Sequence, residues 1–202
     1  MSERAGEGRI TTGSLIAAHE LVTITGERIG VPDAGRLVHL QFRRFAGCPV
    51  CNLHMRSIAQ RHDEIAAAEI SEIVVFHSTA EDLLVHAAEL PFAVIADPDK
   101  RLYVEFGVES APRALLDPRA WMPLVRGFSH DLWKIIRRRQ AAPSLNPEGG
   151  SIGLPADFLI AADGHVVACK YGEHGYDQWS VDELLELART EKSRPRYREN
   201  AR

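Results

Sequence analysis

Cysteine is scarce in this chain, with three in 202 residues, and two of the three are separated by only two residues. That excludes the disulfide framework of a small secreted fold, and a close pair of this kind cycles more plausibly than it staples. A closed zinc site needs about four ligands, and no second CxxC or clustered His/Cys pair supplies the remainder. No stretch approaches the roughly 20 apolar residues required to cross a bilayer, and residues 1–12 lack the basic start and apolar run of a secretory signal. The expectation is a cytoplasmic protein without a membrane span. Nor does one sign of charge dominate: 24 Lys and Arg against 28 Asp and Glu leave a net charge of -4. Nonspecific nucleic-acid binding is therefore not expected. There is no internal repeat, and the length suits one sizeable core, read as a single domain over 1–202 with an insertion.

What the chain does contain is an alternation of strands and helices. Residues Leu21 to Thr25 and Arg28 to Val31 read as a short hairpin, and Leu37 to Phe42 as a strand. Asn52 to Ala68 reads as a helix whose Met55, Ile58, His62 and Ile65 recur on one face. The uninterrupted run Ile73-Val74-Val75-Phe76 has the character of a parallel strand buried on both sides. Ser78 with Glu81 suggests a capping box for a helix to Ala88, followed by a strand over Phe92 to Ala96 and a helix from Lys100 to Phe106 stopped at Gly107. About 113–150 reads as a helical insertion carrying Trp121 and Phe128. A second hairpin, Phe158 to Ile160 with Val166 to Tyr171, precedes a helix opened by Ser180 and Glu183, with Trp179 and Leu184 as a hydrophobic staple. That helix is expected to end near Ala188, with a flexible charged tail over about 190–202.

The chemistry concentrates at Cys48-Pro49-Val50-Cys51, between a predicted strand and a predicted helix. A helix N-terminus favours a thiolate, and a second thiol one turn away can resolve the product of its attack. The alternatives are a structural pair or half of a metal site. His54 lies one turn beyond Cys51, either as a proton donor or acceptor or as a partly exposed helix histidine. His77 and Ser78 fall at the C-terminal end of a parallel strand, the edge where ligands of open α/β sheets collect, so His77 is a candidate wall of the site. Arg43 and Arg44 precede the cysteines, where a guanidinium would lower a thiol pKa, and strand alternation predicts that one of them faces solvent. Cys169, on a face expected to hold Val167, Cys169 and Tyr171, is read as a small hydrophobe in preference to a third redox thiol. The Gly172 to Gln178 loop, with Glu173, His174 and Asp177, is richer in functional side chains than a turn requires.

The order of elements, with Phe42-Arg43-Arg44-Phe45-Ala46-Gly47-Cys48-Pro49-Val50-Cys51, Ala96-Asp97-Pro98-Asp99-Lys100 and Leu154-Pro155-Ala156-Asp157-Phe158-Leu159-Ile160, resembles the peroxiredoxin-like AhpC/TSA family of the thioredoxin fold. The resemblance covers about residues 20–112 and 152–188 and implies a central mixed sheet flanked by helices. It places Cys51 at the peroxidatic position of the family's P-x-x-x-T-x-x-C motif and Cys48 at the threonine. Arg44 stands where the family has proline, so two motif residues differ. The CxxC itself is similar to that of thioredoxin, which makes Cys48 the exposed nucleophile and Cys51 the thiol beneath it. Pro155 resembles the cis-proline that lies against the CxxC and docks substrate.

The activity implied is thiol-dependent reduction of a peroxide or disulfide through a Cys48–Cys51 cycle. Arg44, His54, His77 and Pro155 serve as substrate-binding candidates. A cellular thiol, either thioredoxin or a low-molecular-weight thiol, would restore the pair, with no metal or organic cofactor, and the chain could act as a homodimer. Two other readings stay open at this point: a redox-sensing or binding protein without turnover, and a recruited biosynthetic enzyme with a pocket under the insertion.

Overall fold

All seven residues of the strand Leu37–Arg43 are buried, although alternate apolar and polar side chains would ordinarily give such a strand one wet face. The strand is the centre of the molecule, and the polar half of its alternation lies inside. The computed structural model describes residues 9–45, 49–108 and 154–194, the side chains of 49, 50 and 52 apart. Cys48, the expected insertion at about 113–150 and the end of the expected tail lie outside the described residues.

In chain order the described elements are β1 (His19–Val22), β2 (Arg28–Val31), β3 (Leu37–Arg43), α1 (Pro49–Gln60), α2 (His62–Ala67), β4 (Ile70–Phe76), α3 (Ala80–Ala87), β5 (Ala93–Ala96), α4 (Arg101–Glu105), β6 (Ala156–Ile160), β7 (Val166–Tyr171) and α5 (Val181–Ser193). Five strands form one sheet in the order β5-β4-β3-β6-β7. β3, β4 and β5 are parallel, with Leu40 beside Ile73 and Val74 beside Val94. β6 runs antiparallel to β3 and β7 antiparallel to β6. The expected mixed sheet flanked by helices is thus present, with the β1–β2 hairpin joined to its β5 edge through the amide of Ile24, which donates to Val94 O at 2.9 Å.

The core lies in two layers, one on each side of the sheet. On one side Met55 and Ile58 of α1, Leu83 of α3 and Leu184 and Ala188 of α5 pack on Leu37, Val74 and Leu159. On the other, Phe42, Phe106, Tyr103 and Phe158 form an aromatic cluster, with Phe42 and Tyr103 edge to face at 5.0 Å. Each such pair adds about 0.5–1.5 kcal/mol beyond its burial.

Several local expectations are corrected. The helix after the cysteines begins at Pro49, where the missing N–H costs nothing, and it breaks at Arg61, whose φ of -113° and ψ of 19° leave helical geometry while its guanidinium pairs with Glu64 and Asp182. Thr79 caps α3 in place of Ser78: its hydroxyl accepts from the Asp82 amide at 3.2 Å, whereas Ser78 is buried. The Ser180–Glu183 capping box forms as expected, but α5 runs past Ala188 and the supposed start of the tail to Ser193, where Lys192 reaches Glu69. A bulge between Leu159 and Ile160 pairs them with Ala168 and Val166, so Val167 packs with the α1 layer while Cys169 and Tyr171 face the aromatic layer.

Candidate active site

β3 delivers the chain to the C-terminal edge of the parallel strands, and α1 starts there. Cys51 is the third residue of α1, in its first turn, where backbone N–H groups lack helical partners. Its side chain is 3% exposed and packs with Met55 and Ile58. The apolar stripe of α1 therefore fixes the helix on the sheet with Cys51 turned inward. Cys51 is thus placed beneath the surface at this junction.

Directly behind α1 the polar residues of β3 form a closed ring of side chains with their neighbours. His39 Nδ1 stands 2.9 Å from Glu72 Oε2, and its Nε2 lies 3.3 Å from Asp157 Oδ1. Arg43 Nη2 donates to Asp157 Oδ1 at 2.5 Å and to Gln41 Oε1 at 2.8 Å, and Gln41 Nε2 donates back to Glu72. All five residues are buried. The ring also has partners outside it: the Trp179 amide donates to Asp157 Oδ2 at 3.2 Å and Arg43 Nη1 donates to Phe42 O at 3.1 Å, while Arg43 Nε has no hydrogen-bond partner among the described residues.

Buried charge on this scale is stable only when it is paired. Burial opposes the charge on His39, but the carboxylates of Glu72 and Asp157 outweigh it and raise its pKa to about 9. Burial likewise opposes the Asp157 carboxylate, and Arg43 and His39 together hold it well below the usual range. Two carboxylates then face one guanidinium and one imidazolium, and the ring carries no net charge.

His54 connects this ring to α1. Its Nε2 accepts from Arg43 Nη2 at 3.2 Å, and burial, reinforced by the Arg43 charge, lowers its pKa far below the ordinary value. The expectation of a partly exposed helix histidine is corrected: His54 is buried and neutral.

On the opposite side of the sheet edge lie His77, Arg44 and Tyr103. The Asp97 carboxylate accepts from the amides of Arg101 and Leu102, each at 2.9 Å, and from that of Tyr103 at 3.3 Å, which fixes the start of α4 against the end of β5. Tyr103 is thereby held with its hydroxyl on the carbonyl of Arg43 and 3.0 Å from that of Val75. Burial raises the Tyr103 pKa, and the neighbouring Cys51 thiol and Asp97 raise it further. His77 packs edge to face on Tyr103 with centroids 5.7 Å apart. It is 1% exposed, and among the described residues neither ring nitrogen has a hydrogen-bond partner. Burial and the nearby Lys100 and Arg44 charges push its pKa down to about 4, so it is neutral at pH 7.

Arg43 and Arg44 are both buried, which overturns the expectation that one of them faces water. The reason is the loop after β7. Gly175 lies over the Arg44 guanidinium, where a Cβ would stand 3.3 Å from Nη2, and the Gly172 amide donates to Pro155 O at 2.8 Å. Asp177 holds this loop through Lys170 at 2.7 Å and the Glu173 amide at 2.9 Å. The functional side chains noted in Gly172 to Gln178 thus close the loop over Arg44 and Pro155. Pro155 itself departs from its expected isomer: among the described residues the cis peptide bond is Val31–Pro32, and Leu154–Pro155 is trans.

Sequence reasoning placed Cys51, His54, His77, Arg44 and Pro155 around one edge, and the structure locates each of them at or behind it. It missed His39, Gln41, Glu72 and Asp157. Their signal was a set of polar residues at period two inside strands otherwise buried on both faces, which a one-sided reading sends to solvent. Among the described residues no group of three or more His, Cys, Asp or Glu is placed to hold a metal ion, and no helix is long and apolar enough to cross a membrane.

Comparison with known proteins agrees with this fold. The family model described as "AhpC/TSA family" matches residues 16–169. Among solved structures, the chain is similar to peroxidoxin BcpB from Mycobacterium tuberculosis, with a TM-score of 0.61 at 18% identity, covering 90% of this chain and 98% of that one. It is also similar to the reduced 2-Cys peroxiredoxin of Plasmodium vivax, with a TM-score of 0.63 at 13% identity over 93% and 85% of the two chains. Peroxiredoxin Q of Xanthomonas campestris gives a TM-score of 0.58 at 13% identity, over 85% and 90%. At these identities the likeness is one of fold. No curated protein matches.

Proposed function

Because the chain belongs to the AhpC/TSA family, we propose that it is a thiol-dependent oxidoreductase that reduces a peroxide or disulfide through Cys48 and Cys51. The observation that carries this reading is the position of Cys51 in the first turn of α1, buried at the sheet edge near Tyr103. Helix N-terminal N–H groups favour a thiolate there.

With a hydroperoxide, the thiolate attacks one oxygen and the O–O bond breaks. The other oxygen leaves with a proton as alcohol or water, and the cysteine becomes a sulfenic acid. The second thiol attacks that sulfur, water departs, and a Cys48–Cys51 disulfide forms. Two electrons from a cellular thiol, either thioredoxin or a small thiol, then restore the dithiol. With a disulfide substrate, attack gives a mixed disulfide that the second thiol resolves to the same Cys48–Cys51 bond. The burial of Cys51 favours small peroxides at that sulfur, and Cys48 remains the candidate for attack on larger disulfides. Arg44, His77 and Pro155 border the site, whereas His54 acts from behind α1. The reading needs no metal or organic cofactor and accommodates a homodimer.

Single-turnover reaction of Cys48→Ser and Cys51→Ser with hydrogen peroxide and with a small disulfide tests the assignment. Loss of peroxide reactivity in Cys51→Ser with retention of sulfenic acid in Cys48→Ser supports Cys51 as the peroxide-reacting sulfur. The reverse pattern assigns that role to Cys48. Unchanged reaction in both variants contradicts the proposal.

A further inference from the structure

The loop after β7 is closed by its own side chains, and one of the closures depends on a proton. His174 Nδ1 accepts from the Tyr176 amide at 3.3 Å, so the imidazole and the amide bracket Gly175 between them. Gly175 is the residue seated on the Arg44 guanidinium: a Cβ there would stand 3.3, 3.5 and 3.6 Å from Nη2, Cζ and Nη1. The rest of the loop is fastened without the imidazole. Asp177 Oδ2 accepts from the Glu173 amide at 2.9 Å, and Asp177 Oδ1 pairs with Lys170 at 2.7 Å. The Asp177 and Gln178 amides donate to the carbonyls of His174 and Tyr176. An imidazole nitrogen accepts only while it is unprotonated, and in the imidazolium both ring nitrogens are donors. Protonation would therefore set Nδ1–H against the Tyr176 N–H at the point that holds Gly175 down. His174 is half-buried, within reach of water.

We propose that His174 and the Tyr176 amide form an acid-opened latch on the loop that covers Arg44 and Pro155. In the latched state the imidazole proton sits on Nε2 and Nδ1 receives the amide. In the unlatched state Nδ1 carries a proton and the amide turns to water. Gly175 then lifts from Arg44, while the Lys170–Asp177 pair keeps the loop anchored to β7. Histidine as a residue type changes charge between about pH 5 and 8, which sets the interval to test. The charged groups around the latch are Glu173 and Asp177 in the loop, Lys170 in β7, Arg44 after β3 and Glu183 in the first turn of α5. Pro155, before β6, brings no charge. The carboxylates favour the imidazolium, and Lys170 and Arg44 oppose it. The functional meaning rests on the reading of this edge as the side where substrate arrives: the closed loop covers Arg44 and Pro155, and acid uncovers them.

The test reads the latch without turnover, in the full reduced chain. Hydrogen-exchange protection of the Tyr176 amide, corrected for the intrinsic rate, is measured at about pH 8 and about pH 5.5. In the parent it is expected to fall about fivefold or more on acidification, the factor that one net hydrogen bond represents. His174→Asn keeps an acceptor for the amide two residues on and does not titrate, so its Tyr176 protection should stay level. His174→Ala lacks the acceptor at every pH. At about pH 8 it should show the low protection that the parent reaches in acid, and phenylglyoxal should modify its Arg44 about fivefold faster than in the parent, relative to the exposed Arg189. Protection that is level in the parent, or that falls equally in His174→Asn, overturns the proposal. So does an unchanged Arg44 rate in His174→Ala. If the expected responses occur in a chain inert to peroxide and disulfide, the latch stands and the redox reading fails. Peroxide reactivity with a loop indifferent to pH does the opposite.

Discussion

His39 and Glu72 face each other across β3 and β4 as register partners, with His39 Nδ1 2.9 Å from Glu72 Oε2 and neither side chain reached by water. The pair ties stability to pH. The His39 pKa is about 9 in the fold against about 6.5 when the chain is unfolded. Its contribution is fully present below about pH 6.5 and is lost as pH rises through about 9. The difference corresponds to a few kcal/mol in order of magnitude. Urea midpoints between pH 6 and 10 are expected to fall with rising pH, and Glu72→Gln is expected to flatten that fall and lower the whole curve. A wild-type curve level across this range would contradict the assignment of charge to His39.

Acid has two further targets. The Asp157 carboxylate, depressed by Arg43 and His39 against its burial, contributes stability that is present above about pH 4 and lost below it. His77 works in the same direction over a different window. Its pKa of about 4 means that the unfolded chain gains a proton between about pH 6.5 and 4 while the folded chain does not, so stability falls as pH falls through that window. His77→Phe is expected to remove this component. At pH 7 the substitution should leave the urea midpoint unchanged or higher, since neither ring nitrogen has a partner to lose among the described residues. A marked loss of stability at pH 7 would contradict it.

Asp97 caps three amides at the start of α4. Asp97→Ala is expected to cost about 2 kcal/mol, the upper end for a capping residue, and to loosen Tyr103. Tyr103→Phe removes only the hydroxyl on the Arg43 and Val75 carbonyls and should cost about 1 kcal/mol. Urea unfolding of the two variants checks the order. A cost for Tyr103→Phe exceeding that for Asp97→Ala would mean that the hydroxyl, and not the cap, holds α4.

Gly172 has no room for a side chain. A Cβ there would stand 2.5 Å from Asp177 O and 2.8 Å from Pro155 Cγ, so Gly172→Ala must move the loop off Pro155. We expect a loss of about 1–3 kcal/mol, typical of overpacking. Gly30→Ala, where the nearest atom would be an ordinary 3.5 Å away, serves as the comparison and should change stability by less. Equal effects at the two positions would indicate that the loop is loosely seated.

These residues also show what the sequence disclosed. β4, β5, the two hairpins and the Ser180–Glu183 box were legible because each is fixed by local pattern or by side chains three residues apart. The placement of Cys51 followed from a strand-to-helix junction readable at one site. The ring was not legible, because His39, Glu72 and Asp157 come from three strands and only the sheet order β4-β3-β6 brings them together. Alternation at Arg43 and Arg44 was expected to send one of them to water for the same reason: whether a polar residue meets water or a buried partner is decided by elements distant in the chain. Arg44 was misjudged because its cover, Gly175, lies in a loop more than a hundred residues away.

The central claim is that Cys48 and Cys51 form one redox pair and that Cys169 stands outside it. The tryptic peptide from Phe45 to Arg56 contains both members of the pair, whereas Cys169 falls in a different peptide. Treating the reduced full chain with one equivalent of hydrogen peroxide, or with a small disulfide, followed by alkylation and mass analysis, reads each site separately. We predict that the Phe45–Arg56 peptide loses two hydrogens and takes up no alkyl group, while Cys169 is fully alkylated. Alkylation of all three cysteines after both oxidants, or consumption of Cys169 along with the pair, would contradict the account.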